Sequence, residues 1–150
     1  MSYDNSLHGS DESNNIKHNR RALIFNLLYA ADAHNYESSL ESIAENLSIC
    51  LDCNIDNDIF QEAKSIIEDK DSIDQKIRPF ISSNWKPERI SVITRLILRF
   101  GAWELINTDL SSAIVINEAV ELAKCYAERD AYKFINGILD EFNKKYLKKT

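Results

Sequence analysis

Glycine and proline are both scarce: the 150 residues hold three of the first and two of the second. Sheet proteins need turn residues between short strands, and alternating apolar runs bounded by such residues are hard to find here. The scarcity points to an all-α chain. No run of 18 or more apolar residues occurs, so no segment is expected to cross a membrane as a helix. No basic stretch followed by an apolar one stands near Met1, so a secretory signal is not expected either. Three cysteines, an odd number in a domain of this size, do not suggest a disulfide framework. Cys50-Leu51-Asp52-Cys53 is a lone C-x-x-C, and the histidines lie at 8, 18 and 34, so neither a metal site nor a cofactor is expected. Glu118 and Glu121 stand three apart but lack the Glu-x-x-His partner of a di-iron bundle. Neither a glycine-rich phosphate loop nor a nucleophile–histidine–acid set is present. The expectation is a cytoplasmic binding protein and not an enzyme.

What is present begins with an uneven charge. The net charge is −6, which argues against bulk nucleic-acid binding, yet residues 22–143 alone hold 11 basic and 21 acidic residues. Lys17, Arg20 and Arg21 put three positive charges within five residues, and Lys144, Lys145, Lys148 and Lys149 add four at the other end. An acidic body with two basic ends can present a local polyanion site. Arginine forks match phosphate oxygens, and basic groups gain affinity by releasing counterions.

The apolar residues recur at helical spacing. Residues 1–16 are polar and turn-rich and are expected to form a disordered tail, leaving 17–150 as one domain. Arg20 to about Ala31 is apolar nearly all round, as in a buried helix. Ser38 to Leu51 carries Leu40, Ile43, Ala44 and Leu47 at i, i+3, i+4 and i+7. Asp56 to about Ile81 reads as one long helix that Pro79 should stop or kink near Ile77 or Arg78. "SSNWKPERIS" is a link, and Ile93, Leu96, Ile97, Phe100 and Trp103 face inward on the helix that follows. Ile114-Val115-Ile116 looks extended, with Asn117 as the cap of the next helix and Asp130 as the cap of the last. A compact bundle of six or seven helices results.

Within "AYKFINGILD" the pair Asn136-Gly137 is a hairpin signal, but Phe134-Ile135, Ile138-Leu139 and Phe142 repeat as a helix does. A glycine there needs a reason. The expectation is that Gly137 lets the last helix approach another closely, so that Gly137→Leu would overpack a crossing.

Three stretches together resemble the NusB family of transcription antitermination factors. "VINEAVELAKCYAERDAYKFINGILD" (115–140) looks like its most recognisable block. "NWKPERISVITRLILRFGAWEL" (84–105) and "RRALIFNLLY" (20–29) match two others, so the similarity runs over roughly residues 17–146. The resemblance implies an all-helical monomer or homodimer that binds boxA-type single-stranded RNA of ribosomal-RNA leaders. It also implies a small-subunit ribosomal protein, NusE, as partner, with the complex joining an RNA polymerase elongation complex. The RNA-binding residues it implies are Lys17, Arg20, Arg21, Asp130, Lys133 and Phe134. The partner surface it implies is the exposed side of Thr94 to Glu104, with Thr94, Arg95, Arg99 and Glu104. Departures from the family pattern fall at Ala22, Thr94, Trp103 and Ala127, the last in place of a glycine that usually ends a helix. Phe134 can serve the core with Ile138 and Leu139 or stack on a base, and both hold if its ring sits at the edge. The alternative is a diverged helical protein–protein module without RNA affinity.

Overall fold

Four helices start on a side chain that accepts one of the free backbone N–H groups of the first turn. Ser39 accepts from Ser42, Asp56 from Ile59, Ser91 from Thr94 and Ser111 from Ile114, at 3.0–3.3 Å. A computed structural model describes residues 12–82 and 90–149, with 12–19 and 82 described by backbone alone. The helices are α1 (Glu12–Ala33), α2 (Leu40–Cys50), α3 (Asn57–Glu68), α4 (Lys70–Ser82), α5 (Val92–Asn107), α6 (Ser112–Tyr126) and α7 (Ala131–Phe142). A short π-turn, Asn143–Leu147, continues α7. The all-α expectation holds: among the described residues there is no strand. No helix among them is long and apolar enough to cross a membrane.

Helix α5 is the axis of the bundle. It is buried without a break from Leu96 to Leu105 and packs against α1, α3, α4, α6 and α7. Around it close Ile24, Leu27, Ile66, Val115, Ile135 and Leu139, all fully or almost fully buried.

Several boundaries differ from the sequence expectation. Helix α1 begins at Glu12, so residues 12–16 are helical in backbone, while the rest of the expected tail lies outside the described residues. The long third helix is two, broken at Asp69, whose carboxylate accepts from the Trp103 indole N–H at 3.3 Å. Pro79 does not end α4. A proline there loses one helical hydrogen bond, but Ile77 and Ile81 are buried on either side of it. The Phe80 ring meets Phe142 edge-on at 5.5 Å, so tertiary packing holds the last turn in helical form. Ile114, Val115 and Ile116 are helical because Ser111, not Asn117, caps α6. Asp130 stands at the head of α7 in a left-handed conformation, φ 70°, and makes no side-chain cap bond. The link at 83–89, with Pro87, lies outside the described residues.

The two described glycines exchange the expected roles. Among the described residues a Cβ at Gly137 would meet nothing within 4 Å, whereas one at Gly101 would come within 2.7 Å of Leu139 Cδ1 and 3.6 Å of Ala119 Cβ. The close approach is therefore at Gly101, where α5 meets α6 and α7, and the expected overpacking at Gly137 is overturned. Gly101→Leu is expected to destabilise by about 1–3 kcal/mol, because Leu139 is itself fully buried and has little room to yield. Gly137→Ala is expected to stabilise by about 1 kcal/mol through helix propensity alone. Thermal melts of the two variants check the exchange, and opposite signs would restore the original assignment.

Candidate nucleic-acid interface

The first basic segment lies on α1. The Lys17 side chain lies outside the described residues. The Arg20 guanidinium reaches both carboxylate oxygens of Glu62 on α3, at 3.2 and 3.3 Å, and stays 42% exposed. Arg21, one residue on, points inward. Its Nη2 donates to Glu104 Oε2 at 2.8 Å, its Nε to Oε1 at 3.3 Å, and its Nη1 lies 3.6 Å from Glu118. Only 11% of its side chain is exposed, so Arg21 cross-links α1, α5 and α6 and is not displayed as expected. Burial pushes the Glu104 carboxyl up from its ordinary value, and the Arg21 charge pulls it back only in part.

The second set lies where α6 hands over to α7. Ala127 is extended, with φ −89° and ψ 169°, so no glycine is needed at that position, and Asp130 makes the left-handed turn instead. Lys133 is exposed and only loosely paired with Asp130, at 3.8 Å. Phe134 is half-buried against the core and lines a hollow of about 180 Å³ with Ile90, Thr94, Glu128 and Ala131. That edge position accommodates both readings of its ring. Sequence reasoning missed Glu128, whose carboxylate accepts from Ser91 at 2.8 Å and from Thr94 at 2.9 Å. Burial raises this carboxyl, but its backbone N–H and the two hydroxyls outweigh that and hold it below the ordinary range. The hydroxyl of Thr94 thus has an acidic partner from another segment.

The partner face expected on α5 is largely interior. Thr94, Arg99 and Glu104 are 2%, 7% and 4% exposed, and of the four expected residues only Arg95 faces outward. Arg99 forks onto Asp74 at 2.7 and 2.9 Å and donates to the Tyr36 hydroxyl at 3.1 Å. Burial alone would lower the Arg99 pKa, yet Asp74 and Tyr36 hold it above its ordinary value. A sequence signal existed: Arg99 and Glu104 are the two charged residues in the otherwise apolar stretch from Leu96 to Leu105. Arg95 rims a cavity of about 360 Å³ between α4 and α5, with Arg78, Ile77 and Leu98.

Three of the four C-terminal lysines have partners of their own. Lys144 pairs with Asp140 at 3.0 Å and Lys145 with Glu141 at 2.6 Å. The Lys149 ammonium donates to the carbonyls of Leu105 and Thr108 at the end of α5. The structure thus brings Asp130, Lys133 and Phe134 together at one helix start and turns Arg20 and Arg21 towards carboxylates.

The model of the NusB family matches residues 18–144. The transcription antitermination protein NusB of a Nitratiruptor species is 42% identical over 133 residues, 86% of this chain and 92% of that protein. That of Pseudothermotoga lettingae is 34% identical over 128 residues, 84% of this chain and 89% of that protein. The solved structure of T. maritima NusB superposes with a TM-score of 0.69 at 29% identity, covering 85% of this chain and 90% of that one. The solution structure of NusB from Aquifex aeolicus gives 0.67 at 27% identity, over 87% and 89%.

Proposed function

This chain belongs to the NusB family, and from that membership we propose that it is a cytoplasmic transcription antitermination factor. In this proposal it binds boxA-type single-stranded RNA together with the small-subunit ribosomal protein NusE, and the assembly joins an RNA polymerase elongation complex. It acts by binding and holding, with no catalytic step. The observation that carries the reading is the family match over residues 18–144, with relatives that are named for antitermination.

The geometry supports a specific division of labour. Lys133, 67% exposed, serves as a phosphate contact, and Phe134 beside it offers the edge of a ring to an unstacked base. Arg20, 42% exposed in a part-buried pair, has its guanidinium within reach of solvent and can turn to phosphate. Lys17, three residues earlier on the same helix, joins it on the strength of its sequence position. Arg21 supports this surface from beneath. Arg95, on the outward side of α5, is the partner contact that the fold leaves accessible. A second reading, a protein-only adaptor or homodimer, is favoured by the pairing of both arginines with carboxylates.

Transcription through a terminator placed after a boxA-bearing leader, with purified polymerase, ribosomal partner and this chain, tests the proposal. Read-through is expected to rise when the chain is added and to stay at background on a leader with a scrambled boxA. Equal read-through on both leaders would favour the protein-only reading.

A further inference from the structure

Gly137 has no packing role to explain it. It lies in the middle of α7, exposed, and among the described residues there is open space where a side chain would be. Every other residue type except proline would make the helix better. An internal crossing does not need the gap, because the bundle's close approach is at Gly101. An unfilled position on a helix surface is useful to something that comes from outside.

The surroundings say what. On a helix, residues three, four and seven apart share a face, so Gly137 continues the line of Asp130, Lys133 and Phe134. The carboxylates along it are each matched by a lysine: Asp130 by Lys133, Asp140 by Lys144 and Glu141 by Lys145. The face therefore raises no net acidic barrier to phosphate. Asn136, exposed next to the glycine, carries both a donor and an acceptor for a base edge. Beside it a groove of about 560 Å³ runs between α6 and α7, lined among others by Asn117, Val120, Tyr132, Lys133 and Asn136. A partner helix packing on a glycine wants apolar flanks, and none of the exposed large apolar residues lies in α7.

We infer that Gly137 is the point where a single strand of RNA crosses the α7 backbone, leaving the Lys133–Phe134 contact and entering the groove between α6 and α7. The inference rests on the RNA-binding function proposed above and names a subsite for it. The missing side chain is what admits the sugar–phosphate chain, and Asn136 meets the base that enters the groove.

Gly137→Ala and Gly137→Leu separate this role from a structural one. Both are expected to melt at a higher temperature than the parent. Gly137→Leu is expected to bind boxA-type RNA roughly tenfold more weakly or worse, with alanine between. The salt dependence should stay that of the parent, because a steric block removes no cation. Asn136→Ala is expected to weaken binding to boxA more than to a scrambled strand. If the parent binds RNA and Gly137→Leu binds it equally well, the crossing at Gly137 is wrong while the function stands. A parent that binds no RNA would remove both. A Gly137→Leu chain that keeps RNA but loses the ribosomal protein would show that a protein occupies this face, and overturn the inference.

Discussion

Replacing Arg99 with alanine is expected to destabilise the fold by about 3–5 kcal/mol, towards the lower end because the Asp74 side chain keeps 27% of its exposure. The substitution removes the fork that joins α5 to α4 and leaves Asp74 and the Tyr36 hydroxyl without their common donor. Arg99→Lys should lose less, since the charge survives and only the bidentate geometry goes. Urea titrations of the two variants check the order. An alanine variant as stable as the parent but unable to hold the ribosomal protein would mean that Arg99 belongs to the partner surface after all.

Arg21→Ala carries the second large effect, also about 3–5 kcal/mol, because it strips the buried Glu104 carboxylate of the guanidinium that meets both its oxygens. The loss has a pH signature. Glu104 already binds its proton more tightly in the folded state than in the unfolded one. Removing Arg21 widens that difference. Between the ordinary carboxylate pKa, about 4.3, and the raised folded value, the native state then holds more protons than the unfolded state. Stability is greatest below that window and falls as pH rises through it. Melts of Arg21→Ala should therefore approach the parent in acid and fall away towards neutral pH. A deficit that widened in acid instead would contradict the proposed charge balance.

Arg20→Ala provides the contrast: its side chain keeps 42% of its exposure against 11% for Arg21, so its pair with the mostly buried Glu62 is better screened and the loss should be smaller. The neighbouring arginines look equivalent in the sequence and are not. Arg21 and Glu104 lie 83 positions apart, so a single sequence holds no sign of their pairing. The same limit explains Thr94, whose partner Glu128 is 34 positions away. Local rules did better. The i, i+3, i+4 spacing of Leu40, Ile43, Ala44 and Leu47 marks α2 correctly, and the apolar density of 93–103 marks the central helix. Where two local signals competed, tertiary context chose. β-Branched residues at 114–116 suggest a strand, but Ser111 caps them into a helix. Pro79 suggests a stop, but the burial of Ile77 and Ile81 carries α4 past it. Gly137 drew attention to a real anomaly and assigned it to the wrong neighbour, since period alone separates the packed face from the open one by only a residue or two.

Titration of boxA-type RNA at several salt concentrations, with the parent and with Arg20→Ala, each with and without the ribosomal protein, tests the RNA-binding surface most directly. For the parent, the three proposed phosphate contacts from Lys17, Arg20 and Lys133 are expected to give a logarithmic salt slope of roughly −2. Arg20→Ala is expected to shrink that slope by about 0.7 while remaining folded, and the ribosomal protein should tighten both. Binding that is absent, or identical for the two chains at every salt concentration, would contradict the RNA surface and leave the protein-only adaptor.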